Sequence, residues 1–425
     1  NKYRSPTTVL PDQSVSMGVT RMPSLDRRSF LATTAAAGAL AAAGCSGLGG
    51  DGGPASVDDV DPDGPFQISE VVSGLDAPWG IAFLPDTNQL LVTELPGGLQ
   101  LVDREAETAT ALTGTPEVVA AGQGGLLDVA VHPDFPAEPW IYLTYAGAND
   151  SGETATHLGR GRLDLDGPTF SEFEAIHVAE PFLDRTAHYG SRIEFGTDGM
   201  IYMTAGDRQF KNFGPDHVAQ DPTNELGTTL RLAPDGSVPA DNPFVDDDNV
   251  VDSIFTYGHR NPQGIDVHPE TGEMWVSEHG EKGGDEINRL QAGGNYGWPI
   301  ADQGCNYGTE EPVAPDPQEG DGTIPAAYVW ACGVARFPPA GMTFYDGDAF
   351  PEWQGDLFVG NLAGQYLGHL TVSDPAADDP TLEEVDPLLD GNNWRVRDVA
   401  VAPDTGHLYV VIDSEDAPLV RLHPE

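Results

Sequence analysis

Residues 258–299 read GHRNPQGIDVHPETGEMWVSEHGEKGGDEINRLQAGGNYGWP. An Arg-Asn pair opens a short alternating strand, a Pro/Glu/Thr/Gly turn follows, and a second apolar strand ends in a Gly-rich acidic segment. Period-two alternation bounded by turn residues is the signature of a β-hairpin. Five other stretches share the layout: PWGIAFLPDTNQLLVTE from Pro78, GLLDVAVHPDFPAEPWIYLTY from Gly125, GSRIEFGTDGMIYMTAGD from Gly190, AGMTFYDGDAFPEWQGDLFVGN from Ala340 and VRDVAVAPDTGHLYVVID from Val396. Further short strands such as GRGRLDL and GTTLRLAP follow the hairpins. Six copies without long amphipathic helices between them predict an all-β fold, a six-bladed β-propeller of four-stranded antiparallel blades. The last repeat has room for three strands, so Phe66–Val72 is expected to supply the fourth and close the ring, removing an exposed edge.

Hairpin geometry then locates a site. The start of a first strand and the end of a second lie at one end of a hairpin. Gln123, His188, Arg260, Asn261 and Arg395 stand at or before first strands; Glu94, Asp207, His279 and Asp413 close second strands. In a propeller these groups gather around one mouth of the central channel, and convergent polar groups in a concave place mark a site. Each charge taken alone has the plainer explanation that strand ends face water.

Composition speaks to setting. The 425 residues carry a net charge of −48, and of the 20 basic residues only Lys2, Lys211 and Lys282 are lysine. The acids are dispersed, as on a solvated folded surface that repels itself at low ionic strength and is screened in salt. A halophilic protein is expected, and nucleic-acid binding is excluded for want of a basic patch. Residues 1–45 read as a leader: Arg27-Arg28 precedes an Ala-rich apolar run ending in Ala43-Gly44-Cys45, which resembles a twin-arginine export signal with a lipobox-like site at Cys45. Export is therefore expected, with contact to a membrane only through a lipid on Cys45. Residues 46–65, rich in Gly and Asp, read as a flexible tether, and 66–425 as the propeller. In an exported chain the remaining pair, Cys305 and Cys332, is expected to form a disulfide rather than two buried thiols.

The motifs GQGGLLDVAVHPDF, GHRNPQG, SEHG followed by GGDEIN, GGNYGWP and RVRDV, in this order, resemble those of the soluble quinoprotein glucose dehydrogenase and aldose sugar dehydrogenase family. Its members are six-bladed propellers that oxidise sugars with pyrroloquinoline quinone (PQQ) and calcium, passing electrons to an external acceptor. The resemblance runs from about Phe66 to the C-terminus. It implies His188 as general base, Asp207 as the carboxylate that orients it, Gln123 near sugar and quinone, and Arg260 and Asn261 on the quinone. It further implies backbone carbonyls of Gly280 and Glu281 on the cofactor's calcium, and Asp285, Glu286, Tyr296 and Tyr307 in the region of a second, structural calcium. Arg395 and Arg397 match residues that hold the cofactor's carboxylates.

The chemistry fits these residue types. A base near neutral pH takes the anomeric hydroxyl proton, guanidinium forks match carboxylates bidentately, and oxygen ligands suit the hard calcium ion. The sequence also departs from the family pattern. Glu281 stands where Pro is common, Ala363 where some glucose dehydrogenases carry a cofactor-binding Lys, and Val329–Pro339 is a longer loop at the mouth. These departures favour the broader aldose branch. The competing classes are a calcium-dependent, lactonase-like hydrolase, which has no need of the Arg395/Arg397 pair, and a non-catalytic binding propeller, which has no need of His188.

Overall fold

The structure is a computed structural model; it describes residues 55–57, 60, 64–165, 167, 169–317, 322–334 and 336–424. The Arg27-Arg28 pair, Cys45 and the rest of the expected leader lie outside the described residues. Twenty-four strands form six four-stranded antiparallel sheets, and no α-helix occurs among the described residues. The Gly258 hairpin is built as its sequence dictates: β14 (Pro262–Val267) pairs with β15 (Met274–Glu278), Val267 opposite Met274 across the turn. With β16 (Asp285–Arg289) and β17 (Tyr328–Trp330) they make the fourth blade.

The five other first strands are β2 (Pro78–Phe83), β6 (Leu126–Val131), β10 (Ile193–Phe195), β18 (Pro339–Phe344) and β22 (Val396–Val401). Each packs beside the first strands of the neighbouring blades, so the six line a central channel. The ring closes between the chain ends: β1 (Gln67–Leu75) pairs with β24 (Ala417–His423), putting the strand from residue 67 on the outside of the last blade. Both edges that a linear chain would leave bare are thereby paired. Within the 46–65 stretch, Ala55 exchanges hydrogen bonds with the last blade, its N donating to the Asn392 carbonyl and its carbonyl accepting from Trp394 Nε1. Val57 and Val60 pack on the same core.

Apolar residues of facing sheets fill the space between blades, as in the cluster of Leu90, Val92, Tyr409 and Val410 around Trp394. Polar stitches fix the register of each blade against the next. Hydroxyls on second strands donate to carbonyls of the following blade: Thr93 to Leu127, Thr144 to Ser191, Thr204 to Pro262 and Ser277 to Ala340. Carboxylates on first strands also join neighbouring blades in the channel, as acceptors. Asp128 accepts from the Ile193 amide, Asp266 from that of Phe344 and Asp398 from that of Ile81, at 2.9, 2.7 and 2.9 Å. Arg192 bridges Asp128 and Asp398. A buried donor or acceptor left without a partner is costly, so these bonds specify one arrangement of blades and hold the mouth residues at fixed spacing.

Candidate active site

His188 lies in the loop before β10, with φ of 48°, a left-handed conformation that non-glycine residues rarely adopt. Its amide donates to Gln123 Oε1 at 2.7 Å, which ties the loop to the preceding blade. Its Nδ1 is 2.7 Å from Asp207 Oδ1, just beyond the second strand of the same hairpin, β11 (Ile201–Ala205). Gly206 permits the approach, since a Cβ there would stand 2.3 Å from the His188 carbonyl oxygen. Asp207 is fully buried, and its other oxygen accepts from Trp298 Nε1 at 2.9 Å. With Nδ1–H donated to the carboxylate, Nε2 is the nitrogen left to accept a proton. Burial, then the nearby Arg260 charge, holds the imidazole below its ordinary value, so it stays neutral and free to accept a proton. Burial pushes Asp207 up, but His188, Arg260 and His217 outweigh that and keep it ionised.

Arg260 extends the constellation from the next blade. Its carbonyl accepts from the Asp207 amide, and its guanidinium donates to the His279 carbonyl at 3.2 Å and to Glu281 at 2.7 Å. It also lies 5.2 Å from the centroid of the Trp298 ring. Asn261 accepts from the Gly190 amide through Oδ1 at 3.1 Å. Across the mouth Arg395 and Arg397 both reach Asp413, at 3.0 and 2.8 Å, and Arg397 also donates to Gln263. Two cations on one carboxylate leave a surplus positive charge. Three buried donor atoms here, Arg260 Nε, Asn261 Nδ2 and Arg397 Nε, have no acceptor among the described residues. Buried donors without partners point to a ligand rich in acceptors. Glu94, by contrast, is held within its own blade by Asp76 and Gln100.

The Gly-rich segment after β15 forms a tight turn in which the Asp285 carboxylate accepts from the Gly280 amide at 3.0 Å. A side chain at Gly280 would collide with the Gly283 carbonyl at 2.2 Å. Behind the turn is a cavity of about 10 Å³ lined by Glu278, Glu286, Tyr296 and Asp302 among others. Asn288 bridges Glu278 and Glu286 through Nδ2, while its buried Oδ1 has no donor among the described residues. Burial and then Glu278 drive Glu286 well above the usual carboxylate range, and burial pushes Asp302 up to about 7. Glu286 and Tyr296 thus face this cavity. Asp285 serves the turn, and Tyr307 stands at the rim beside Lys211, whose Nζ is 5.9 Å from the ring centroid. Cys305 and Cys332 are joined in a disulfide that closes the rim loop, with Cα atoms 5.5 Å apart.

Sequence reasoning missed three participants. Trp298 reads as a core aromatic because its partner, Asp207, is 91 residues away. Glu278, at the end of β15, and Asp302, in the loop after β16, do not stand out in a chain crowded with acids. The signals near them are the SEHG motif, which contains Glu278, and the GGNYGWP motif, which contains Trp298 and precedes Asp302.

Comparison with known proteins adds the decisive observation. The family described as Glucose / Sorbosone dehydrogenase matches residues 75–421. The chain belongs to the glucose/sorbosone dehydrogenase family. It is 37% identical over 355 residues to the aldose sugar dehydrogenase YliI of Escherichia coli, covering 82% of this chain and 91% of that protein. To the quinoprotein glucose dehydrogenase B of Acinetobacter calcoaceticus it is 29% identical over 417 residues, 82% of this chain and 86% of the relative. Among solved structures, the PQQ-bound aldose sugar dehydrogenase of Streptomyces coelicolor superposes with a TM-score of 0.67 at 27% identity, over 86% of this chain and 100% of that one. In this glucose/sorbosone dehydrogenase the propeller mouth, with its His188–Asp207 pair and its three arginines, is the part whose chemistry suits a sugar oxidation.

Proposed function

We propose that this protein oxidises aldose sugars at the anomeric carbon to lactones, using PQQ and calcium and passing electrons to an external acceptor. The observation that carries the reading is the buried His188–Asp207 pair at a mouth that also holds Arg260, Arg395 and Arg397. The donor set fits an anionic, planar, acceptor-rich cofactor. Arg395 and Arg397 would hold its carboxylates, while Arg260 and Asn261 offer the buried donors that the protein itself leaves unused. Bound PQQ supplies the two-electron acceptor. Backbone carbonyls of Gly280 and Glu281 would hold its calcium, and Glu278, Glu286 and Asp302 offer a second cation an all-oxygen site.

His188 Nε2 takes the proton of the C1 hydroxyl as hydride leaves C1, and the C1–O bond becomes the lactone carbonyl. Asp207 fixes the tautomer and stabilises the imidazolium that forms. Arg260, with a buried Nε unpaired among the described residues, would stabilise negative charge on the bound acceptor. The twin arginines and Cys45 support export with a lipid anchor as part of the same reading. Purified protein, given PQQ and calcium in molar salt, should reduce a dye with glucose and other aldoses. No turnover with any aldose, in protein that has taken up PQQ, would overturn the proposal.

A further inference from the structure

At the mouth, Glu281 is placed between two cations from different loops. Its carboxylate is 5% exposed and sits 2.7 Å from Arg260 Nη2 and 2.5 Å from Lys211 Nζ. Arg260 is as deeply buried, so its charge needs a counter-ion. Lys211 differs: its side chain is 47% exposed, on the rim between the rings of Phe213 and Tyr307 at 5.6 and 5.9 Å. Both cations reach the same oxygen, Oε2. We propose that Glu281 is a positioning residue that competes with the anionic cofactor for Arg260, and that Lys211 retains the carboxylate when the cofactor takes its place.

The argument is electrostatic and rests on the PQQ reading. An anionic oxygen reaching Arg260 meets a guanidinium already paired on one edge, and two anions on one buried cation repel each other. Lys211 relieves that repulsion because its ammonium is half-exposed on the rim and already bonded to Glu281. A rim cation of this kind converts an expulsion of Glu281 into a small shift of its partner. Cofactor uptake therefore becomes an exchange of ion pairs, opposed by Glu281 and eased by Lys211.

The two residues act in opposite directions, which the test exploits. PQQ is titrated into apoprotein at fixed calcium, followed by tryptophan fluorescence, with circular dichroism to verify folding. Glu281→Gln should tighten PQQ binding roughly tenfold, the scale of one charge-assisted hydrogen bond. Lys211→Met, at the exposed rim where folding is least at risk, should weaken it by a similar factor. The double variant should bind like Glu281→Gln, because Lys211 acts only through that carboxylate. Terbium luminescence in place of calcium reads the metal directly. Loss of terbium and PQQ binding together in Glu281→Gln would make Glu281 a metal ligand and overturn the proposal. Unchanged affinities in both single variants would overturn it in favour of a structural role. Wild-type protein that takes up no PQQ would overturn the functional reading as well.

Discussion

His188 is held by three separate pieces of chain: Gln123 on its amide, Asp207 on Nδ1 and, through Asp207, Trp298. His188→Gln should keep the fold and most PQQ affinity while kcat falls by roughly 10²–10⁴, the range for loss of a positioned base. Equal turnover in the cofactor-loaded variant would remove His188 from the mechanism. The neutral imidazole is the active form, so activity is present above its pKa and lost as pH falls through it. Burial and Arg260 set that pKa below the ordinary 6.5, so the acid limb of kcat should lie below that value. A limb at or above 6.5 in the pH profile would contradict the environment described for the ring. Trp298→Phe leaves a fully buried carboxylate oxygen without its donor. It should cost about 1–3 kcal/mol of stability and lower kcat without moving KM, as chemical unfolding and steady-state kinetics would show.

At the scale of elements, the site depends on strand ends and on one cross-linked loop. The hairpins bring residues to the mouth in pairs, first-strand start beside second-strand end, and the stitches through Thr93, Thr144, Thr204 and Ser277 lock one hairpin to the next. The rim loop between the two cysteines is tied to the sheet only sparsely among the described residues, by isolated bridges at Cys305 and by the short β17 before Cys332. Its Cys305–Cys332 bridge spans a sequence separation of 27, and closing a loop of that order contributes about 2–4 kcal/mol through the unfolded chain. The Cys305→Ser/Cys332→Ser variant should therefore unfold at lower temperature than the oxidised protein. Non-reducing peptide maps of the native protein should recover the linked pair, and two freely alkylated thiols would refute it.

For the whole molecule, a net charge of −48 sets the terms of stability. Many acids are satisfied inside the ring, as Asp128, Asp266 and Asp398 are by amides of the next blade. The remainder face solvent and one another. Unfolding temperature should rise strongly from low to multimolar KCl as that repulsion is screened. A flat profile would count against adaptation to salt. Closure of the ring by β1 and β24 makes the six blades one cooperative body, so the salt effect should appear as one shifted transition.

The sequence by itself determined the blades and their number, because strand alternation and turn chemistry are local and recur six times. It also placed His188, Asp207, Arg260 and Arg395 at one mouth, since hairpin geometry fixes which residues share an end. Residue identity along one strand could not determine which partner each side chain would choose across blades. Trp298 joined Asp207, Glu278 and Asp302 came together behind the Gly280 turn, and Glu281 settled between Arg260 and Lys211. Those pairings belong to the tertiary structure because they follow from desolvation. Buried charges and donors must be satisfied by whatever the closed ring brings within hydrogen-bond reach, however far apart in the chain.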